Sequence, residues 1–166
     1  MSIDFLKRLS WFGAFLLAQV LVLGQIHLFH YATPLLYVYF VTQFPRNHAK
    51  WAILLWSFMM GLLVDTFFNT PGVAAASLTL IGAIQPYYFE LFVPRDSAED
   101  PMPSLRNISP TKYAYYIVPL VSLYCMLFFS LEMFSFTDWL TWGLCVVGST
   151  LLTLLLLLAL ESTRKG

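Results

Sequence analysis

Four stretches of this chain, residues 9–29, 72–93, 113–134 and 138–160, run for more than twenty residues with at most one charged side chain each. A helix needs about 20 mainly apolar residues to cross a bilayer core roughly 30 Å thick. A fifth stretch, 51–68, is just long enough and carries one acid, Asp65. Composition agrees: 59% of the 166 residues are apolar and only 11% are charged. Soluble domains run at about 45–50% and about 25%. The 9 basic and 9 acidic side chains cannot coat the surface of a domain this small. A soluble globular domain and a disordered tail are therefore excluded. A formal net charge of zero leaves no basic field for nucleic acid. The sequence predicts an all-α integral membrane protein, with the lipid bilayer as its solvent.

The number of spans turns on residues 31–44, which make about 21 Å of helix at 1.5 Å per residue. That is short of the apolar core, so the segment is either re-entrant or crosses a locally thinned membrane. The nine Lys and Arg residues decide between these. If 31–44 spans, all nine fall on one side with both termini cytoplasmic. If it does not, the best orientation divides them seven to two. The positive-inside rule prefers the first. The sequence therefore predicts one domain of six transmembrane helices over residues 1–166, at 9–29, 31–44, 51–68, 72–93, 113–134 and 138–160. Trp11, Trp51, Tyr113, Tyr115 and Tyr116 fall at inner ends, and Trp139 and Trp142 at an outer end. Those are the depths that amphipathic rings prefer.

The one substantial loop is 94–112, with Pro101, Pro103 and Pro110 and mixed charges. Proline and charge argue against a regular packed element there. It is either a solvated connector or a cytoplasmic docking strip, through Arg95, Asp96, Glu99, Asp100 and Arg106.

Charges within spans are costly and commonly functional. Asp65 lies about 21 Å along its helix from Trp51, with no Lys or Arg on that side to pair with. Thr66, Asn69 and Thr70 are local candidates for hydrogen bonding. Gly61, one turn earlier on the same face, lets another helix approach closely. Pro71–Gly72 then breaks the chain and opens the next helix, whose free N–H groups face the neighbourhood of Asp65. Three roles stand open for Asp65: a pin between two helices, a proton or substrate site, or a contact for a partner's membrane helix. Gln85–Pro86 falls mid-helix; proline frees a carbonyl that Gln85 can satisfy. Ala74, Ala75, Ala76, Ser77, Thr79 and Ala83 form a small-residue face suited to close packing. Glu132 and Asp138 flank the last outer turn, Asp138 as a cap or dipole partner of the final helix. The run 143–160 reads as plainly lipid-compatible, and Cys125 and Cys145 as packing residues.

No phosphate-binding glycine loop, nucleophile elbow or H-E-x-x-H motif is present. His27 and His30 lack further ligands nearby to complete a metal site. The sequence predicts no catalytic residue, no cofactor and no metal site, and so not an enzyme.

Residues 51–82, WAILLWSFMMGLLVDTFFNTPGVAAASLTLIG, resemble the core signature of the MreD family of rod shape-determining membrane proteins. The pattern is Gly61–Leu62-x-x-Asp65, then Pro71–Gly72 and a small-residue helix; Gln85 and Pro86 follow within that helix. Helices 5 and 6 match only in hydropathy. The resemblance implies a multi-pass protein of the bacterial plasma membrane, with a fold similar to the substrate-binding subunits of vitamin transporters. It implies a non-catalytic scaffold of the wall-elongation complex. Such a scaffold binds MreC and links MreB, indirectly, to the RodA-type glycosyltransferase and its penicillin-binding protein. The alternative is a substrate-binding transporter subunit, with an outer pocket lined by Asp65, Gln25 or Trp139.

Overall fold

The computed structural model describes residues 2–22, 33–93, 103, 108–134 and 138–164. The regular structure among those residues is all helical, with no strand. Helix α1 (Ser2–Leu17) runs into one π-helical turn, Ala18–Val22. A five-residue helix α2 (Val38–Thr42) follows, then α3 (Lys50–Phe68), α4 (Val73–Glu90), α5 (Pro110–Glu132) and α6 (Trp139–Arg164). Three of these, α3, α5 and α6, are long and apolar enough to cross a membrane. Large apolar side chains such as Leu55, Met126, Leu151 and Leu155 are exposed on them, as a lipid-facing surface requires.

Helices α3 and α4 form a hairpin; α4 packs on α5, and α5 on α6. The turn between α3 and α4 is made by backbone chemistry. Asn69 ends α3 in the left-handed region at φ 56°, and Gly72 opens α4 at φ 83°. Asparagine and glycine tolerate that conformation best. Pro110 starts α5 in the first turn, where its missing N–H costs nothing. That places the start of α5 three residues ahead of the expected Tyr113.

The segment expected to span over 31–44 is the main departure. Residues 31 and 32 lie outside the described set. Of the rest, only Val38–Thr42 is α-helical, about 7.5 Å of axis. Pro34 cannot donate to a helical ladder and disfavours helix at the residue before it. Residues 33–35 are irregular and a turn at Leu36–Tyr37 leads into α2. Yet this stretch is almost wholly enclosed by other described residues. Tyr37, Val38 and Val41 have no exposed surface, and Leu35, Tyr39 and Phe44 have almost none. It touches α1, α3, α4 and α5 and reaches α6 through hydrogen bonds described below.

Two aromatic expectations change as well. Tyr113 and Tyr116 are buried rather than interfacial, whereas Tyr115 is exposed. Positions three apart share a helix face, and the face holding Tyr113 and Tyr116 turns inward. Trp11, Trp51 and Trp139 remain exposed. Cys125 and Cys145 are both free and buried in helix packing.

Candidate functional site

Asp65 is the first of two polar centres. Its side chain is almost fully buried and both oxygens are engaged. Oδ1 accepts from the Ala74 N–H at 2.8 Å and the Thr70 hydroxyl at 2.8 Å, and Oδ2 from the Ala75 N–H at 2.9 Å. The N–H groups of Ala74 and Ala75 are orphan donors of the first turn of α4. An acid at the end of α3 therefore caps α4 from outside, across the Asn69–Gly72 turn. The main chain of Asp65 joins in: its carbonyl accepts from the N–H groups of Asn69 and Thr70. Thr66 bonds within its own helix, to the Leu62 carbonyl.

Gly61 sets the spacing of the hairpin. A Cβ there would come within 2.7 Å of the Ala74 carbonyl oxygen and of the Ala75 nitrogen. Further along, a Cβ at Gly82 would lie 3.1 Å from the Ser57 Cβ. Ala74, Ala75, Ser77, Leu78, Ile81 and Gly82 are buried, while Ala76 faces out. Pro71 and Gly72 are exposed at the turn. The motif residues Gly61, Asp65, Pro71 and Gly72 are thus brought together around one helix–helix joint.

The second centre surrounds residues 33–44, and the sequence did not announce it. Buried non-helical backbone must find hydrogen-bond partners within the protein. On one side, the Thr33 N–H donates to Ser149 Oγ at 3.1 Å and the Leu35 N–H to Thr153 Oγ1 at 3.1 Å. Alternate N–H groups of an extended chain repeat at about 6.6 Å. Hydroxyls four residues apart on a helix repeat at about 6 Å, so the two rows match. On the other side, Gln19 in the π-helical turn accepts the Leu36 N–H at 3.0 Å and donates to the Pro34 carbonyl at 2.8 Å. The run 143–160 is therefore more than lipid-compatible: Ser149 and Thr153 are buried and hold backbone.

At the far end of the segment, Gln85 Nε2 donates to the Phe44 carbonyl at 3.1 Å and to Tyr116 Oη at 3.0 Å. The Tyr116 hydroxyl donates to the Thr42 carbonyl at 3.0 Å. Gln85 thus serves the end of α2 rather than the carbonyl freed by Pro86. The reason is reach: its face of α4 is buried toward Phe44 and Tyr116. The Tyr37 and Tyr124 hydroxyls bond each other, and the Tyr39 hydroxyl donates to the buried Glu161 carboxylate near the end of α6.

Some expected residues are not gathered. Among the described residues no three His, Cys, Asp or Glu side chains are placed to share a metal ion. Asp138 directly precedes α6, and its carbonyl accepts the Trp142 N–H at 3.0 Å. Arg95, Asp96, Glu99, Asp100 and Arg106 lie outside the described residues, as do Gln25, His27 and His30.

Two predictions arise here. Gln19→Leu strips partners from the Pro34 carbonyl and the Leu36 N–H. It is expected to cost about 2 kcal/mol, given about 1–3 kcal/mol per buried unsatisfied group, read as a lower thermal midpoint in detergent. His48, in the turn before α3, is held below its ordinary pKa first by burial and then by the charge of Arg8. The unfolded chain takes up that proton first as pH falls. Stability is therefore present above about pH 6.5 and lost below it. The midpoint of the wild type should drop between pH 7.5 and 5.5 by more than that of His48→Gln.

No protein-family model matches the chain, and no match is found among curated proteins or solved structures.

Proposed function

We propose that this chain is a non-catalytic scaffold of a bacterial wall-elongation complex, of the MreD type. It would contact MreC and tie MreB indirectly to a RodA-type glycosyltransferase and its penicillin-binding protein. What carries the proposal is the joint between α3 and α4. The residues that resemble the family pattern, Gly61, Asp65, Pro71 and Gly72, meet at one place and share one task, that of fixing two helices against each other. A rigid small-residue hairpin suits a protein that meets partners through helix faces.

The topology proposed with it is six membrane segments, with 33–44 as a broken second segment and both termini cytoplasmic. The transporter alternative needs polar groups free to meet a ligand, and both oxygens of Asp65 are already bonded. The test is depletion of the protein in its own host. Rod-shaped cells are expected to round up while growth continues; cells that stay rod-shaped contradict the proposal.

A further inference from the structure

Two guanidinium groups converge on one turn of the chain. Arg8 lies over the Phe44 ring, its Cζ 5.2 Å from the centroid. Arg164 donates to Gln43 Oε1 at 3.0 Å and lies over the Trp11 ring at 5.7 Å. Gln43 and Phe44 are neighbours in sequence, so the two guanidinium groups reach the same turn. The nearest acidic influences are Asp4, whose charge acts on Arg8, and Glu161, which takes the Tyr39 hydroxyl one turn before Arg164. Two guanidinium groups facing one turn favour an anion there.

Two nitrogens in the same turn also lack a hydrogen-bond partner: Gln43 Nε2 and His48 Nε2, the latter a donor in its Nε2–H tautomer, are buried and unpartnered. Two planar cationic forks and two spare N–H groups match a tetrahedral oxyanion, which arginine binds in bidentate fashion. The depth of the site points to the source of the anion. Trp11 and Trp51 are 47% and 71% exposed at this end of the bundle, and tryptophan prefers the headgroup level of a membrane. Lys7, Arg46 and Lys50 add positive charge at the same end.

We propose that Arg8 and Arg164, with the Gln43–His48 turn, bind the phosphate of an anionic phospholipid. The chemistry recognised is a phosphate oxyanion, and the lipid supplies it at the depth where the arginines lie. This site is independent of the scaffold proposal.

The test uses the full chain, purified in detergent and stripped of lipid, with its thermal midpoint read during separate titrations. Phosphatidylglycerol should raise the midpoint at low mole fraction, and phosphatidylcholine should not. In Arg8→Gln/Arg164→Gln the apparent affinity for phosphatidylglycerol should fall about thirtyfold, the scale of two arginines at an anionic surface. Arg8→Lys/Arg164→Lys, with both charges kept, should fall between; a wild-type midpoint in phosphatidylcholine shows that each variant is folded. Equal stabilisation by both lipids, or a response unchanged in the glutamine variant, overturns the site. Inorganic phosphate matching phosphatidylglycerol would keep the oxyanion site and overturn its assignment to lipid.

Discussion

Gly61→Leu is expected to abolish the folded protein, leaving material that aggregates on detergent extraction. Even Gly61→Ala should cost about 3 kcal/mol, the upper end for overpacking. The atoms that a Cβ would meet at 2.7 Å are main-chain atoms of α4. Main chain cannot rotate aside as a long side chain can, so α3 and α4 must separate. Separation also stretches the bonds from Asp65 to Ala74 and Ala75. Glycines without close neighbours supply the contrast. A Cβ at Gly13 or Gly143 meets nothing within 4 Å. Gly13→Ala should gain up to about 1 kcal/mol from helix propensity. The check is the monodisperse fraction and thermal midpoint of the purified variants.

Asp65→Leu comes next in size. It removes three hydrogen bonds and leaves the Ala74 and Ala75 N–H groups without acceptors in an apolar setting. Bonds to a charged group contribute about 1.5–3 kcal/mol each, while interhelical bonds in membranes average nearer 0.6. The expected loss is about 3–4 kcal/mol, or about 6–16 °C in midpoint for a chain of this length. Asp65→Asn should lose roughly half as much: its one carbonyl oxygen still accepts, but its amide meets a donor. A catalytic or proton-carrying role for Asp65 would instead leave the midpoint of Asp65→Asn near wild type and change only activity.

The α3–α4 joint was legible in the sequence because its parts are local. An isolated acid in an apolar run, a glycine one turn before it and Pro–Gly a few residues after it lie within 12 positions. The second polar centre was not legible because its bonds join distant residues. Thr33 meets Ser149 across 116 positions, and Leu35 meets Thr153 across 118. Serine and threonine in apolar helices commonly bond their own helix, as Ser57, Ser77, Thr79 and Thr150 do here. Nothing in the run 143–160 marks Ser149 and Thr153 as different from Thr150, save that they lie four apart on one face.

Residues 31–44 are expected to span because the positive-inside rule favours it, and that rule says nothing about the conformation of the backbone. The segment is enclosed by helices instead of by lipid, and enclosure is what permits its broken backbone. Gln19 stood in plain view within an apolar helix. Its role follows only from the π-helical turn that carries it, and such turns recur at functional positions.

Co-purification tests the scaffold account most directly. The tagged chain is drawn from its own membranes in mild detergent, and its companions are identified by mass spectrometry. The account predicts an MreC-like protein together with a RodA-type glycosyltransferase or its penicillin-binding protein. It also predicts their loss from Asp65→Leu at matched protein level. Recovery of ATP-binding-cassette ATPases in their place would contradict it.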